Sequence, residues 1–140
     1  MKQNVVLSIL GRQTYLGQEP DQIELVTEGV LEDVGGSWVL SYEESDLTGM
    51  SGVTTTFIIE PDKVTLKRSG KLSSQMVFQE GVTHDSLYQM EFGTMMISVC
   101  ASVVDWDLSP AGGRVDLVYG IELEHSAVGL IVYHLDVTAK

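Results

Sequence analysis

Turn-forming residues interrupt this chain at short intervals, and their spacing limits the architectures it can adopt. Pro61-Asp62, Gly70-Lys71, Glu80-Gly81 and Phe92-Gly93 are examples of these interruptions. The short segments between them are rich in Val, Ile, Thr, Tyr and Leu, which is typical of strands bounded by turns. Since no window shows a helical period, the pattern predicts an all-β chain.

The predicted strands follow one another closely. They lie near residues 4–15, 22–33, 37–44, 53–60, 63–69, 72–79, 82–90, 94–108, 114–124 and 127–138. Short connections join successive strands as hairpin neighbours, which gives an antiparallel up-and-down meander. Eight to ten such strands can close into a barrel or split into a sandwich, and closure is favoured because it removes exposed edges. A chain of 140 residues fits a single domain over residues 1–140.

The charge and hydrophobicity of the chain bear on which binding partners we expect. The chain carries 20 acidic and 8 basic residues, a formal net charge of -12. That charge repels a phosphate backbone, so we expect neither a nucleic-acid partner nor an anionic membrane surface. No stretch approaches the roughly 20 apolar residues of a membrane-spanning helix.

Cysteine and histidine usage bears on compartment and cofactors. Cys100 is the one cysteine, so no internal disulfide can form, and no secretion signal precedes the first strand. We therefore expect a cytoplasmic protein. His84, His125 and His134 do not stand at metal-ligand spacing, and no nucleotide-binding glycine loop is present, so we expect no metal and no cofactor.

The segment 94–108 is apolar at both parities of an alternating strand. Simple alternation puts one set on one face, namely Met95, Ile97, Val99, Ala101 and Val103. It puts a second set on the other face, namely Met96, Cys100, Val104, Trp106 and Leu108. On this interpretation the outer face is covered by a long loop or by another subunit, Cys100 is a buried inert thiol, and a homodimer is expected.

Polar residues enter several strands at the parity of the inner face. The faces that carry the large apolar residues also carry Tyr42, Glu44, Arg68, Ser74, His84 and Tyr88. Hydrophilic groups inside a barrel are costly to bury unless they are paired or bind something. The sequence thus predicts a small polar pocket within the barrel.

Two readings of Arg68 remain open. A guanidinium stays charged and presents a planar fork suited to a carboxylate or phosphate, so it could hold an anionic group. Tyr42, Tyr88 and Ser74 would then donate hydrogen bonds, and Glu44 would orient Arg68. The apolar walls would be Trp38, Met76 and Phe78. In the other reading, Arg68 and Glu44 form a structural ion pair.

Three functions follow from these readings. The first is binding of a small, partly apolar, anionic molecule inside the barrel without altering it. The second is a non-enzymatic interaction or dimerisation module with a filled barrel. The third, a hydrolase or isomerase, would use Glu44 and His84 as acid and base.

The loop Glu43–Gly52 is expected to be a solvated lid.

Several segments together resemble one family. They are Glu24-Leu25-Val26-Thr27-Glu28-Gly29, Ser41-Tyr42-Glu43-Glu44-Ser45 with Leu47-Thr48-Gly49, Arg68-Ser69-Gly70, Ser74-Gln75-Met76-Val77-Phe78 and Ser86-Leu87-Tyr88. In this order they are similar to the YwiB-like proteins, small bacterial proteins of unassigned function with a calycin-type, lipocalin-like β-barrel. The resemblance implies that barrel and brings no activity, substrate or catalytic residue. Gly36-Ser37-Trp38 has the Gly-x-Trp form of lipocalins, but two predicted strands precede it, so extracellular carriage is not implied.

Overall fold

The computed structural model describes residues 2–15, 17, 19–44, 52–70, 73–90, 93–123 and 126–140, with the side chains of residues 15, 87–90, 95 and 126–128 outside that description. Ten strands make up nearly all of it. They are β1 (Lys2–Tyr15), β2 (Asp21–Asp33), β3 (Trp38–Glu43), β4 (Val53–Ile59), β5 (Val64–Gly70), β6 (Ser74–Phe78), β7 (Thr83–Met90), β8 (Gly93–Ser109), β9 (Gly112–Leu123) and β10 (Ser126–Ala139). The predicted all-β class is confirmed.

All ten strands belong to a single antiparallel sheet in the order β6-β5-β4-β3-β2-β1-β10-β9-β8-β7. Each strand pairs with its neighbour in sequence, except that β6 and β7 form the two ends of the sheet. The first and last strands pair along most of their length, from Val5 opposite Ala139 to Tyr15 opposite Gly129. The predicted meander is therefore present, and the β1–β10 pairing bends it round into a nearly closed barrel.

The two sheet ends meet at a tight turn. Within the described residues, the ladder pairing between these ends is a single antiparallel bridge, Gln79 to Val82. The turn is anchored on β8, where Gly81 N donates to Ala101 O at 3.0 Å. The barrel is thus held together at this seam by a turn rather than by a long ladder.

The predicted alternation of β8 is wrong, because the strand contains a β-bulge. The register between β8 and β9 shifts between Ala101 and Val103. Val104 N donates to the Glu80 carboxylate at 3.0 Å, so the seam turn provides an acceptor for backbone at the bulge.

The bulge moves the remaining residues of β8 to the other parity. Val104 and Trp106 therefore pack against the same core as Ile97, although simple alternation predicted opposite faces. Val103, predicted to share a face with Ile97, is 37% exposed. Most apolar residues of segment 94–108 therefore face the core. They occupy both parities of the sequence because the inward-facing parity changes at the bulge.

Inward-facing apolar side chains fill most of the barrel. Phe57, Phe78, Leu40, Leu117 and Leu135 are among the residues whose exposed fraction is 1% or less. Two aromatic pairs cross the interior, Phe78 with Tyr119 at a ring-centroid separation of 4.4 Å and Phe57 with Tyr133 at 5.9 Å. Close packing of this kind leaves room for small cavities only.

Candidate functional site

A row of polar side chains crosses four neighbouring strands on the inner face. Tyr42 of β3 stands opposite Thr55 of β4, and Thr55 stands opposite Arg68 of β5. Arg68 in turn stands opposite Ser74 of β6. Because side chains opposite one another in an antiparallel ladder project from the same face, hairpin register alone brings these four groups together.

Glu44, which follows β3, is the buried carboxylate of this site. Its exposed fraction is 7%, and it accepts a hydrogen bond from Thr55 Oγ1 at 3.2 Å. Burial and the neighbouring Tyr133 raise the pKa of Tyr42 far above its ordinary value, and Glu44 adds to that shift. The phenol of Tyr42 is therefore neutral at physiological pH and can donate a hydrogen bond.

Tyr133 of β10 reaches the row from the opposite wall of the barrel. Its hydroxyl lies 3.3 Å from the hydroxyl of Tyr42, and either oxygen can be the donor. Burial raises the pKa of Tyr133, while the hydrogen bond with Tyr42 and the charge of Arg68 act in the other direction. Arg68 is thus close enough to Tyr133 for its charge to act on that phenol.

The Arg68 side chain is half-buried and incompletely satisfied. Its Nε atom is buried, and no group among the described residues accepts a hydrogen bond from it. The ion pairs found in the described part of the chain do not include Arg68. The structural reading, in which Glu44 and Arg68 are mutual ion-pair partners, therefore receives no support, since Glu44 is engaged with Thr55 and Tyr42.

A small cavity lies against these groups, and we refer to it as the mouth cavity. Its volume is about 90 Å³. It is lined by Ile9, Gly11, Gln13, Ile23, Leu25, Tyr42, Glu44, Arg68 and Tyr133. Apolar β1 and β2 residues form one wall and the hydroxyl, carboxylate and guanidinium groups form the other, so the cavity can take a small molecule with one polar end.

Several residues of this site were not among the predicted ones. Tyr133 shares its inward parity with Ile131 and Leu135, which the alternation of β10 made visible. Thr55 alternates with the inward Val53 and Phe57, so the same period-two signal would have placed it. The position of Gln13 and Gly11 beside the cavity depends on how β1 passes the opposite wall, which strand parity does not give.

Some predicted binding residues lie elsewhere in the interior. Met76 and Phe78 are buried in the packed core, and the half-buried Trp38 packs against it. His84 is bound to the Gln79 side chain at 3.1 Å and does not line the mouth cavity. Glu44 and His84 therefore do not share the mouth cavity, and their use as an acid–base pair stays a prediction.

Two predicted features fall on residues outside the described set. The side chain of Tyr88 is one of them, and the central part of the loop Glu43–Gly52, residues 45–51, is the other. Their roles as a hydrogen-bond donor and as a lid stay predictions.

A second, larger concavity lies on the outer side of β3–β6, and we refer to it as the outer concavity. Its volume is about 610 Å³. Its lining consists of Val39, Thr56, Ile58, Lys67, Arg68, Ser69, Ser73, Ser74 and Gln75. Arg68 therefore borders both spaces.

A ladder of charged side chains crosses the exterior of the last three strands. Arg114 lies 3.0 Å from Asp105 and 2.8 Å from Asp116, and His134 bonds Asp116 through Nδ1 and Asp136 through Nε2 at 3.0 Å. The hydrogen bond to Asp116 raises the pKa of His134, burial acts in the opposite direction, and Asp136 adds to the rise. The ladder binds strands together on the outside of the sheet, away from the mouth cavity.

The outer apolar residues of β8 and β10 are open to solvent in the monomer. Leu130 is 50% exposed and Val132 is 40% exposed. Cys100, predicted to be buried, is exposed because it lies on the outer face opposite in parity to Val99 and Ala101. The expected homodimer stays a prediction, since the described chain does not itself cover this face.

Two structural features are absent from the described residues. Among them, no group of three or more His, Cys, Asp or Glu side chains is arranged to hold a metal ion. Nor does the described part of the chain contain a helix of sufficient length and apolarity to cross a bilayer.

Fold and site together define an all-β, nearly closed barrel with a small cavity lined in part by Arg68, Glu44, Tyr42 and Tyr133. Comparison with known proteins places it more narrowly. The chain belongs to the family described as "Domain of unknown function (DUF1934)", whose model matches residues 7–135. A comparison with curated proteins found no match.

A solved structure is also similar to this chain. It is the crystal structure of the ywiB protein from Bacillus subtilis, with a TM-score of 0.88 and 19% sequence identity. The alignment covers 99% of this chain and 93% of that one, so the two share their fold over nearly their whole length. The predicted resemblance to the YwiB-like family is confirmed.

Proposed function

We propose that this protein binds a small anionic molecule, of the size of a short-chain carboxylate, in the mouth cavity and does not alter it chemically. The observation that carries the proposal is the buried Nε of Arg68, which has no acceptor among the described residues. A buried donor without a partner costs free energy, and a bound carboxylate that draws the Arg68 side chain towards the cavity would supply the missing acceptor.

The surroundings of Arg68 suit such a ligand. The neutral phenols of Tyr42 and Tyr133 line the same cavity as Arg68 and can donate further hydrogen bonds to an anion. Glu44 opposes a second negative charge, so a monoanion is favoured over a dianion. Ile23 and Leu25 provide an apolar wall for a short hydrocarbon tail.

The volume of the cavity sets an upper limit on the ligand. About 90 Å³ corresponds to roughly three water molecules at their share of liquid volume. Ordinary drug-sized ligands occupy pockets of roughly 300–1,000 Å³. Acetate and propionate are therefore of suitable size, whereas a long-chain fatty acid is not.

Thermal unfolding in the presence of carboxylates of increasing chain length tests this proposal. We expect acetate and propionate to raise the melting temperature relative to equal ionic strength of chloride, and octanoate to have no such effect. Binding that saturates at a hundred times its Kd would stabilise the native state by about 2.7 kcal/mol. Native mass spectrometry of freshly purified protein would show whether an anion is retained.

A variant that fills the cavity provides the matched control. A Cβ built on Gly11 would lie 3.7 Å from the ring of Tyr133, an ordinary contact, so a larger side chain can enter without backbone strain. Gly11→Val should fold, fill the cavity and abolish the effect of short carboxylates. If Gly11→Val responds to acetate and propionate as the wild type does, the anion binds elsewhere and the proposal is wrong.

A further inference from the structure

The outer concavity has a polarity opposite to that of the protein as a whole. The chain has 8 basic and 20 acidic residues, yet two basic residues, Lys67 and Arg68, line this space. None of the described residues that line it is Asp or Glu. A local positive site on an otherwise acidic surface concentrates small anions at that point.

Hydroxyl groups accompany the two cations. Thr56, Ser69, Ser73 and Ser74 all line the concavity. Thr56, Ser69 and Ser73 have the outward parity of the exposed Lys67, whereas Ser74 belongs to the inner row. A lysine and clustered hydroxyls form a donor set that matches the several oxygens of a phosphate group.

The concavity also has an apolar portion. Val39 and Ile58 stand opposite each other in the β3–β4 ladder, and Thr56 stands opposite Lys67 in the β4–β5 ladder. Val39 and Ile58 are half-buried and therefore leave apolar surface accessible beside the cation. The volume of about 610 Å³ lies within the range of small-molecule sites.

We infer that the outer concavity is a second binding site, and that it takes a small organic phosphate. The phosphate would lie between Lys67 and the hydroxyls of Thr56, Ser69 and Ser73, and the organic part would rest on Val39 and Ile58. This site does not depend on carboxylate binding in the mouth cavity, because Lys67, Thr56 and Ser73 line the outer concavity alone.

Two-dimensional NMR titration of isotope-labelled protein with phenyl phosphate tests the inference. We expect saturable shifts of the backbone amides of Lys67, Ser69 and Ser74. Inorganic phosphate should bind more weakly by about tenfold, because it makes no contact with the apolar surface of Val39 and Ile58. Equal affinity for the two probes would overturn the assignment to organic phosphates.

Two substitutions and one control locate the site. Lys67→Gln should weaken phenyl phosphate binding by about tenfold, the effect of one charge-assisted hydrogen bond. Thr56→Glu should abolish binding, since it introduces a carboxylate into the concavity. Lys2→Gln removes an exposed lysine of β1 that does not line the space, and it should leave the affinity unchanged.

The remaining outcomes separate this site from the mouth cavity. Gly11→Val should bind phenyl phosphate as the wild type does, whatever its response to acetate. Loss of phenyl phosphate binding in Gly11→Val would place the ligand in the mouth cavity and overturn the inference. An equal loss in Lys2→Gln and Lys67→Gln would also overturn it, since the interaction would then be non-specific attraction to lysine.

Discussion

Replacement of Arg68 by methionine should leave the fold intact and make the ligand-free protein slightly more stable. The substitution removes a buried Nε that has no acceptor among the described residues and keeps an unbranched side chain of similar reach. An unsatisfied buried polar group costs about 1–3 kcal/mol. Since the residue is only half-buried, the lower end applies, and we expect a gain of about 1 kcal/mol.

A structural ion pair predicts the opposite sign. Removing one partner of a buried pair leaves the other charge uncompensated and costs about 3–5 kcal/mol. The two readings of Arg68 thus differ by about 4 kcal/mol or more, far outside the error of equilibrium unfolding. Urea unfolding followed by circular dichroism measures this difference, and the m-value should not change because the same surface is exposed.

Arg12→Met is the matched control for this experiment. Arg12 is exposed on β1, where its Nε donates to the Gln22 side chain at 3.1 Å. We expect its substitution to change stability by no more than about 0.5 kcal/mol. A loss of about 3 kcal/mol or more in Arg68→Met alone would refute the reasoning, because Arg68 would then be a structural group and not a free ligand donor.

Three further substitutions test the core, a turn and the outer ladder. Phe78→Ala should cost about 3–5 kcal/mol in urea unfolding, since the fully buried ring packs on Tyr119 at 4.4 Å, and a near-neutral result would contradict the filled interior. Gly113→Ala should cost more than about 1 kcal/mol by the same measurement, because its φ of 147° disfavours a side chain and a Cβ would overlap the backbone of Asp107. His134→Asn should flatten the pH dependence of the melting temperature. Because the pKa of His134 is raised in the native state, the stability that its charged form contributes is complete below the ordinary imidazole pKa of about 6.5. That contribution is lost as pH rises through the native pKa. Identical melting-temperature profiles of wild type and variant above a pH of about 6.5 would therefore refute the ladder's role.

The sequence predicted the strand order because the relevant signals are local. Pro61-Asp62 and Glu80-Gly81 occupy turns between strands in the structure, as turn chemistry indicated. Short connections then pair most strands with the next one, and this produces the meander, although within the described residues β6 and β7 are joined by a single bridge and form the two ends of the sheet. The β1–β10 pairing follows from closure, since a barrel must join its first and last strands or leave both as edges.

The bulge in β8 could not be predicted in the same way. Residues 94–108 are apolar at both parities, so alternation gave no indication of where the face changes. Its position is set by the seam turn, in which Gly81 N and the Glu80 carboxylate bond the backbone of Ala101 and Val104. Those contacts join residues that are distant in sequence, and they exist only once the barrel has closed.

The sequence predicted which polar side chains share the inner face, but not which of them line a cavity. Parity and hairpin register placed Tyr42, Arg68 and Ser74 on one face, and the structure has them there. The same parity applied equally to Met76 and Phe78, which lie in the packed core. Which members of a face border empty space depends on strand tilt and on the volumes of side chains from the opposite wall, such as Tyr133, and those quantities are properties of the assembled barrel.

The contrast between the core and the polar row bears on why the chain keeps Arg68. Thr55 donates to Glu44 and the two phenols bond each other. Among the described residues, the buried polar side-chain atoms that line the mouth cavity therefore have partners, except for the guanidinium Nε. A hydrophobic residue at position 68 would stabilise the apo protein, as argued above, and the neighbouring apolar core shows that this barrel accommodates such residues. The Arg68 donor lacks an acceptor among the described residues, although the groups around it have partners, and this lowers the stability of the protein without ligand. Such a local cost is expected at a binding site, where the ligand supplies the acceptor.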